Sequence, residues 1–295
     1  MDKVLKNLIK SELCPNGIWQ LSDVMESILK RQIHRLPKNK VSETEARYPK
    51  NPAGMRAFLV KFFTRHYFQA QNSLFDYMIS QDFLDAISFG HLKILDVGSG
   101  PAVASLAITD MLSCTISHLE KLGEWPNHNV IKITYVLNDT SGLCLGTGQH
   151  MLTDYFCFGR INDRRIITDR IISIQKAFPA NLHQLRRIKY NIGTYDLIVF
   201  SYVISPLNED EGFKGLIDGL LKTRELCSHN GRILILQDRF QKSLLRRISE
   251  AIGTSSNKHE LTQCVYPKRN ENEAYTYTYY CCLYKPFDQM IVKAG

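Results

Sequence analysis

The sequence lacks any uninterrupted run of 18 apolar residues among its 295, so it predicts no membrane-spanning helix. None of its eight cysteines forms a Cys-x-x-Cys pair, which argues against a zinc module. No signal peptide precedes them, which argues against a disulfide-stabilised secreted fold. We therefore expect a soluble cytoplasmic protein with reduced thiols, no membrane contact and no bound metal.

Acidic residues are scarce at one end of the chain. Residues 1–70 hold 13 lysines and arginines against six acidic residues, a surplus of seven in a chain whose net charge is +8. Such a surplus is typical of a protein that contacts a polyanion, most simply nucleic acid, although a solvated basic face has the same composition. No arginine-rich tail decides between the two.

The most informative stretch is a predicted strand that leads into a helix through a glycine turn. An apolar strand run ends at Val97, Gly98 and Gly100 interrupt it, and residues 102–111 are helix-forming. Such a turn exposes backbone N–H groups at a helix N-terminus and lets a ligand approach the chain closely. The pattern therefore favours a cofactor site, with a simple tight turn as the alternative.

The spacing within this turn distinguishes between cofactors. A dinucleotide fingerprint needs a small residue where Val103 stands, which disfavours a nicotinamide-dependent reductase. The sequence matches Asp-x-Gly-x-Gly-x-Ala instead, and so resembles the first motif of the class I S-adenosylmethionine-dependent methyltransferases. The resemblance implies that the turn lies against the methionine part of that cofactor, through Asp96, Gly98, Ser99, Gly100 and Pro101.

A second part of the resemblance lies at the end of the next predicted strand. Residues 130–137 first alternate between apolar and polar residues and are then continuously apolar, and they lead into Asn138, Asp139 and Thr140. The family has an acidic residue at this strand tip, where a carboxylate can accept hydrogen bonds from both ribose hydroxyls of the cofactor. Asp139 is the candidate for this acidic residue, and Asn138 and Thr140 beside it are also expected to contact the cofactor. The alternative is that these residues cap the helix that follows, to about Cys157.

The third strand is predicted at 171–174, after an irregular arginine-rich connection at 160–170. Family members often contact the adenine through an acid-alanine pair after this strand. Here Lys176 replaces the acid. The resemblance therefore implies only a polar adenine contact, from Gln175 or from the backbone near Lys176.

Residues 195–205 resemble the fourth strand of the family and the residues after it. An apolar strand of this kind is buried on both faces. Ser201 and Tyr202 lie at its carboxyl end, where open α/β sheets bind ligands. A helix at 212–226, a fifth strand at 229–238 and a hairpin at 261–283 with a polar turn at 268–273 complete the pattern. We therefore expect an α/β fold, a Rossmann-like seven-stranded methyltransferase sheet, over residues 91–295.

Residues 1–90 are predicted to form a helical region that recognises the substrate or covers it as a lid. Two amphipathic helices are expected within 1–36, an extended basic connection at 36–54 and one long helix at 53–79. The long helix is rich in phenylalanine, which at helical spacing indicates core packing, while its interleaved cations would also suit nucleobase stacking. Its polar residues expected to face a substrate are Arg56, His66 and Tyr67.

Together these features predict an S-adenosylmethionine-dependent methyltransferase. No Asn-Pro-Pro-Tyr motif follows the fourth strand, so exocyclic amines of bases are not indicated as acceptors. RNA is the preferred acceptor, with a small molecule, or a non-catalytic binding or assembly module of the same fold, as the alternatives. If RNA is the acceptor, phosphates would be neutralised by Lys30, Arg31, Arg35, Lys38, Lys40 and Lys50.

Overall fold

The computed structural model describes residues 2–125, 130–159, 165–203, 211–238, 242–266 and 273–286. Residues 2–90 are mostly helical. The helices are α1 (Asp2–Leu13), α2 (Asp23–His34), α3 (Glu43–Arg47), α4 (Pro52–Lys61), α5 (Phe63–Met78) and α6 (Gln81–Ser88).

Two expectations for this region are wrong. The connection at 36–54 is not wholly extended, because α3 forms within it behind a capping box in which Ser42 and Glu45 exchange hydrogen bonds. The helix expected at 53–79 is two helices, because the chain bends at Phe62, whose φ of −118° departs from helical geometry. Apolar periodicity continues through the bend, so the sequence pattern alone does not reveal it.

The remainder of the chain alternates strands and helices, as expected. These elements are β1 (His91–Val97), α7 (Val103–Lys121), β2 (Ile131–Asp139), α8 (Gly142–Gly159), β3 (Ile166–Gln175), α9 (Leu182–Ile192), β4 (Tyr195–Ser201), α10 (Glu211–Thr223), β5 (Cys227–Asp238), α11 (Lys242–Ala251), β6 (Asn257–Cys264) and β7 (Ala274–Tyr284). They form one seven-stranded sheet in the order β3-β2-β1-β4-β5-β7-β6. Strands β1 to β5 pair in parallel, while β7 pairs antiparallel with both β5 and β6. The predicted α/β Rossmann-like sheet is confirmed.

The third strand differs most from its prediction. It begins at Ile166 rather than 171, so the second half of the expected irregular connection is a strand paired with β2. The strand contains the polar residues Thr168, Asp169 and Arg170. It can accommodate them because β3 is an edge strand, so one of its long edges borders solvent instead of another strand. The first half of that connection, 160–164, lies outside the described residues, as do 204 and 205 after the fourth strand and 268–272 of the hairpin turn.

The sheet is covered on both faces. Helices α9, α10 and α11 contribute to the core on one face, while α7, α8 and the N-terminal helices contribute to the core on the other. The N-terminal region also reaches the sheet edge, because the amide of Trp19 donates to the carbonyl of Thr262 in β6. In the described part of the chain, no helix combines the length and apolarity needed to span a membrane.

Candidate functional site

A cavity of about 610 Å³ opens at the carboxyl ends of β1, β2 and β4. Its volume lies within the range of roughly 300–1,000 Å³ that is usual for ligand sites. One side is formed by the strand ends and the other by helices of the N-terminal region. It brings together ten of the residues predicted to contact a cofactor, namely Gly98, Ser99, Gly100, Pro101, Asn138, Asp139, Thr140, Lys176, Ser201 and Tyr202.

The glycine turn between β1 and α7 has left-handed backbone geometry at three positions, with φ of 69° at Gly98, 51° at Gly100 and 57° at Ala102. Gly98 and Gly100 have different surroundings. A Cβ on Gly98 would lie 2.4 Å from a methyl carbon of Val203 and 2.8 Å from the Ser201 carbonyl oxygen, so packing requires this glycine. A Cβ on Gly100 would meet nothing within 4 Å. The space beside Gly100 is therefore open to a ligand.

Asp139 connects the tip of β2 to this turn. One carboxylate oxygen accepts a 2.9 Å hydrogen bond from the amide of Gly100, and the other accepts a 2.8 Å bond from the amide of Ser141. Burial raises the pKa of Asp139, and these backbone hydrogen bonds counteract the rise. The helix cap itself is Ser141, whose hydroxyl accepts from the amide of Cys144. Asp139 thus orders the loop beside the cavity and lines the cavity as well.

Asn138, at the end of β2, forms hydrogen bonds to residues at the ends of β1 and β3. Its carbonyl accepts from the amides of Gly98 and Ser99, at 2.8 and 3.0 Å. Its side-chain amide donates to the carbonyl of Ile174 in β3 and to that of Lys176 just beyond the strand, at 3.0 and 2.7 Å. The side chain is almost fully buried, so these bonds replace water that it would otherwise bind.

Two predicted cofactor residues do not line the cavity. Asp96 is fully buried, and its carboxylate accepts hydrogen bonds from the hydroxyl and the amide of Ser105 in α7, at 2.8 and 3.2 Å. Burial raises its pKa to about 6. Gln175 donates from its side chain to the carbonyl of Thr140 at 3.3 Å. Both residues support the loops that form the cavity.

The opposite side of the cavity is an aromatic wall formed by Tyr48, Phe58, Phe62 and His66, and it meets Tyr202 at the end of β4. The rings of His66 and Tyr202 are stacked with centroids 3.8 Å apart and an interplanar angle of 21°. Burial, helped by the charges of Arg65 and Arg47, lowers the pKa of His66 to about 3. The imidazole is therefore neutral at physiological pH.

The other two residues predicted to face a substrate lie elsewhere. The guanidinium of Arg56 donates to the carbonyls of Ile33 and Leu36 at the end of α2. The hydroxyl of Tyr67 donates to the Asp110 carboxylate in the core, at 2.6 Å. Of the three, only His66 lines the cavity.

Residues 47–50 also line the cavity, and of these the sequence predicts only Lys50, as a phosphate contact. Arg47 ends α3, and the other three residues follow it within the connection expected to be extended. Arg47 and Lys50 place cations at the cavity, and Arg47 lies over the ring of Phe62 at 5.7 Å. Only the basic composition of this connection points towards such a role.

No protein-family model matches the chain, and no curated protein matches it either. Similar solved structures include a human methyltransferase 10 domain containing protein (9% identity, TM-score 0.40, 96% of this chain and 98% of that chain covered). A candidate RNA methyltransferase from Pyrococcus horikoshii is 10% identical, with TM-score 0.35 and coverages of 90% and 98%. A TehB-like SAM-dependent methyltransferase from Corynebacterium glutamicum is 13% identical, with TM-score 0.31 and coverages of 74% and 96%. The chain has a Rossmann-like α/β fold, with the seven-stranded sheet and the glycine turn described above.

Proposed function

We propose that this protein is an S-adenosylmethionine-dependent methyltransferase. The observation that carries the proposal is the single cavity shared by the glycine turn of β1, the acidic tip of β2 and the end of β4. Open α/β sheets bind ligands at the carboxyl ends of their strands. Here a second wall from the N-terminal helices faces that edge across the cavity.

The residues present fit the cofactor. The open space beside Gly100 would admit the methionine part, and exposed backbone at the turn would receive it. Asp139 would accept hydrogen bonds from the ribose hydroxyls, because each carboxylate oxygen has lone pairs beyond those used by the backbone. The backbone at Lys176 would contact the adenine. When bound, the cofactor supplies a methyl group on a positively charged sulfur.

The work of the protein in such a reaction is alignment and exclusion of water. The aromatic wall, together with the stacked rings of His66 and Tyr202, would orient the acceptor. The low pKa of His66 makes it a poor proton acceptor at neutral pH. His66 would therefore position the acceptor rather than deprotonate it.

We further propose that the acceptor is RNA. Aromatic side chains provide stacking surfaces for bases, each worth roughly 1–3 kcal/mol. Arg47, Lys50 and Lys176 line the same cavity and would neutralise neighbouring phosphates. The basic surplus of residues 1–70 would extend this contact beyond the cavity.

Calorimetry of the full chain with S-adenosylmethionine and with its demethylated product tests the first proposal. One molecule should bind per chain. If neither binds, the fold serves a non-catalytic role and the proposal is wrong.

Incubation with radiolabelled cofactor and total cellular RNA, or a small-molecule extract, tests the acceptor. Label should appear in RNA and be released by nuclease. Label in the small-molecule fraction alone would overturn the RNA proposal and leave the cofactor proposal standing.

A further inference from the structure

A second cluster of reactive side chains lies between α1 and α7. It consists of Glu12 near the end of α1, and of Cys114 and His118 on α7. None of the three lines the cavity. The Glu12 carboxylate lies 2.8 Å from Nε2 of His118, and the candidate ligand atoms of all three residues lie within 4.8 Å of one another.

The cluster is assembled by helix geometry and by packing. Cys114 and His118 are four residues apart, so they project from the same face of α7. Helix α1 packs against that face, with Leu5, Ile9 and Leu13 buried, and this packing brings Glu12 over the pair. Cys114 and His118 are almost fully buried, whereas the Glu12 side chain is 54% exposed. One side of the cluster therefore faces solvent.

We propose that Glu12, Cys114 and His118 form a binding site for a divalent transition metal, of which zinc is the best match. Thiolate, imidazole and carboxylate together are a donor set that zinc accepts, at distances of about 2.0–2.3 Å. Ligands around such an ion lie about 3.3–3.7 Å apart, so the ion needs only small side-chain movements here. The solvent-facing side leaves a fourth position for water.

Metal binding would join α1 to α7 and so hold the first helix on the methyltransferase fold. The thiol of Cys114 would release its proton to solvent as the metal–sulfur bond forms. The metal would also replace the hydrogen bond between Glu12 and His118. Because the site lies apart from the cavity, the metal would have a structural role.

Titration of the chelator-treated full chain with Co²⁺ and Zn²⁺ tests the proposal. Cobalt should bind with one equivalent, give a sulfur-to-cobalt charge-transfer absorption, and be displaced by zinc. Cys114→Ser should abolish that absorption, and His118→Gln should weaken binding about 100-fold, because few bonds share the binding free energy of a zinc site. Zinc should also raise the Tm of the wild type and not that of Cys114→Ser.

The matched control is Cys157→Ser, which removes an exposed thiol outside the cluster and should leave the absorption unchanged. Cys114 and His118 are buried, so a loss of binding in their variants could also result from misfolding. Glu12→Gln separates the two causes, because the Glu12 side chain is half exposed. It should weaken binding while circular dichroism stays that of the wild type. Absence of stoichiometric binding, or equal binding by wild type and Cys114→Ser, would show that the three residues form only a hydrogen-bonded cluster.

Discussion

The amide of Gly100 donates a 2.9 Å hydrogen bond to the carboxylate of Asp139, so the glycine turn after β1 is joined directly to the tip of β2. Ribose recognition and helix capping are the two alternatives for Asp139 from the sequence. The structure adds a third interaction, because Asp139 also orders the turn against which the cofactor would bind. Substitution of Asp139 should therefore affect both stability and ligand binding.

Asp139→Ala should weaken S-adenosylmethionine binding by roughly 10- to 150-fold, which corresponds to about 1.5–3 kcal/mol for the removed hydrogen bonds to a charged group. It should also lower the Tm, since the amides of Gly100 and Ser141 lose their acceptor. Calorimetry at a temperature where the variant is folded separates the two effects. Ser22→Ala is the control, because it removes the cap of α2 and Ser22 does not line the cavity. Unchanged affinity in Asp139→Ala would leave only the structural role.

Gly100→Asn should reduce cofactor affinity at least about tenfold, or ~1.4 kcal/mol, because the new side chain enters the open space beside the turn. Asparagine tolerates a positive φ, so little backbone strain accompanies the change. Gly123→Asn is the matched control, since that glycine has φ +74° and nothing near its Cβ, and it lies outside the cavity. Equal affinities of the two variants, measured by calorimetry, would show that the methionine part does not lie at Gly100.

His66 should make the protein sensitive to acid. Its pKa in the folded state is about 3, below the ordinary 6.5, so folding favours the neutral ring. The associated stability is complete above pH 6.5 and is lost as the pH falls towards 3. The drop in Tm from about pH 7.5 to about pH 5 should therefore be smaller in His66→Gln than in the wild type. His183→Gln, at an exposed histidine, should behave as the wild type. Identical drops in all three proteins would contradict this prediction.

Tyr67→Phe should destabilise the fold by roughly 1.5–3 kcal/mol, because buried Asp110 loses one of three hydroxyl donors. The matched control is Tyr135→Phe, in which a buried tyrosine loses a hydrogen bond to the neutral hydroxyl of Thr109, at a cost of about 0.5–1.5 kcal/mol. Urea unfolding measures both free energies. Equal losses would indicate that Asp110 carries no charge.

Reversal of Lys38 and Lys40 to glutamate should weaken RNA binding and reduce its dependence on salt. The logarithmic slope should fall by about 0.7–0.9 for each phosphate that the variant no longer neutralises. Both lysines are exposed. Arg31 and Arg35 are unsuitable for this test, because they contact Phe158 at 3.6 Å and Asp154 at 3.5 Å in α8. Filter binding over a range of salt concentrations gives the slope.

The control for this test is the double variant Lys214→Glu and Lys222→Glu on α10, which changes the net charge equally at another surface. It should retain more RNA affinity than the first variant. Cofactor affinity should stay within about twofold in both proteins, well under the tenfold of ~1.4 kcal/mol. An equal loss of RNA binding in the two variants would indicate a general charge effect rather than a site.

Local residue patterns were enough to predict the main elements of the sheet. The turn at Gly98 and Gly100, the strand that ends at Asp139 and the apolar strand at Tyr195–Ser201 are local patterns, in which neighbouring residues decide the structure. At the sheet edge the local pattern did not predict the strand's length. The apolar residues indicated a strand shorter than Ile166–Gln175. Pairing with β2 supplies the hydrogen bonds that keep its polar residues in the strand.

Contacts between side chains that are distant in the sequence depend on how the helices and strands pack, and local patterns do not predict them. Tyr67 and His66 are neighbours in one helix, yet the first contacts Asp110 in the core and the second stacks on Tyr202 in the cavity. Side chains one position apart in a helix point about 100° away from each other, and the surface each one meets is set by distant packing. The same holds for Glu12, which approaches His118 from 106 residues away in the sequence because α1 buries its apolar face against α7.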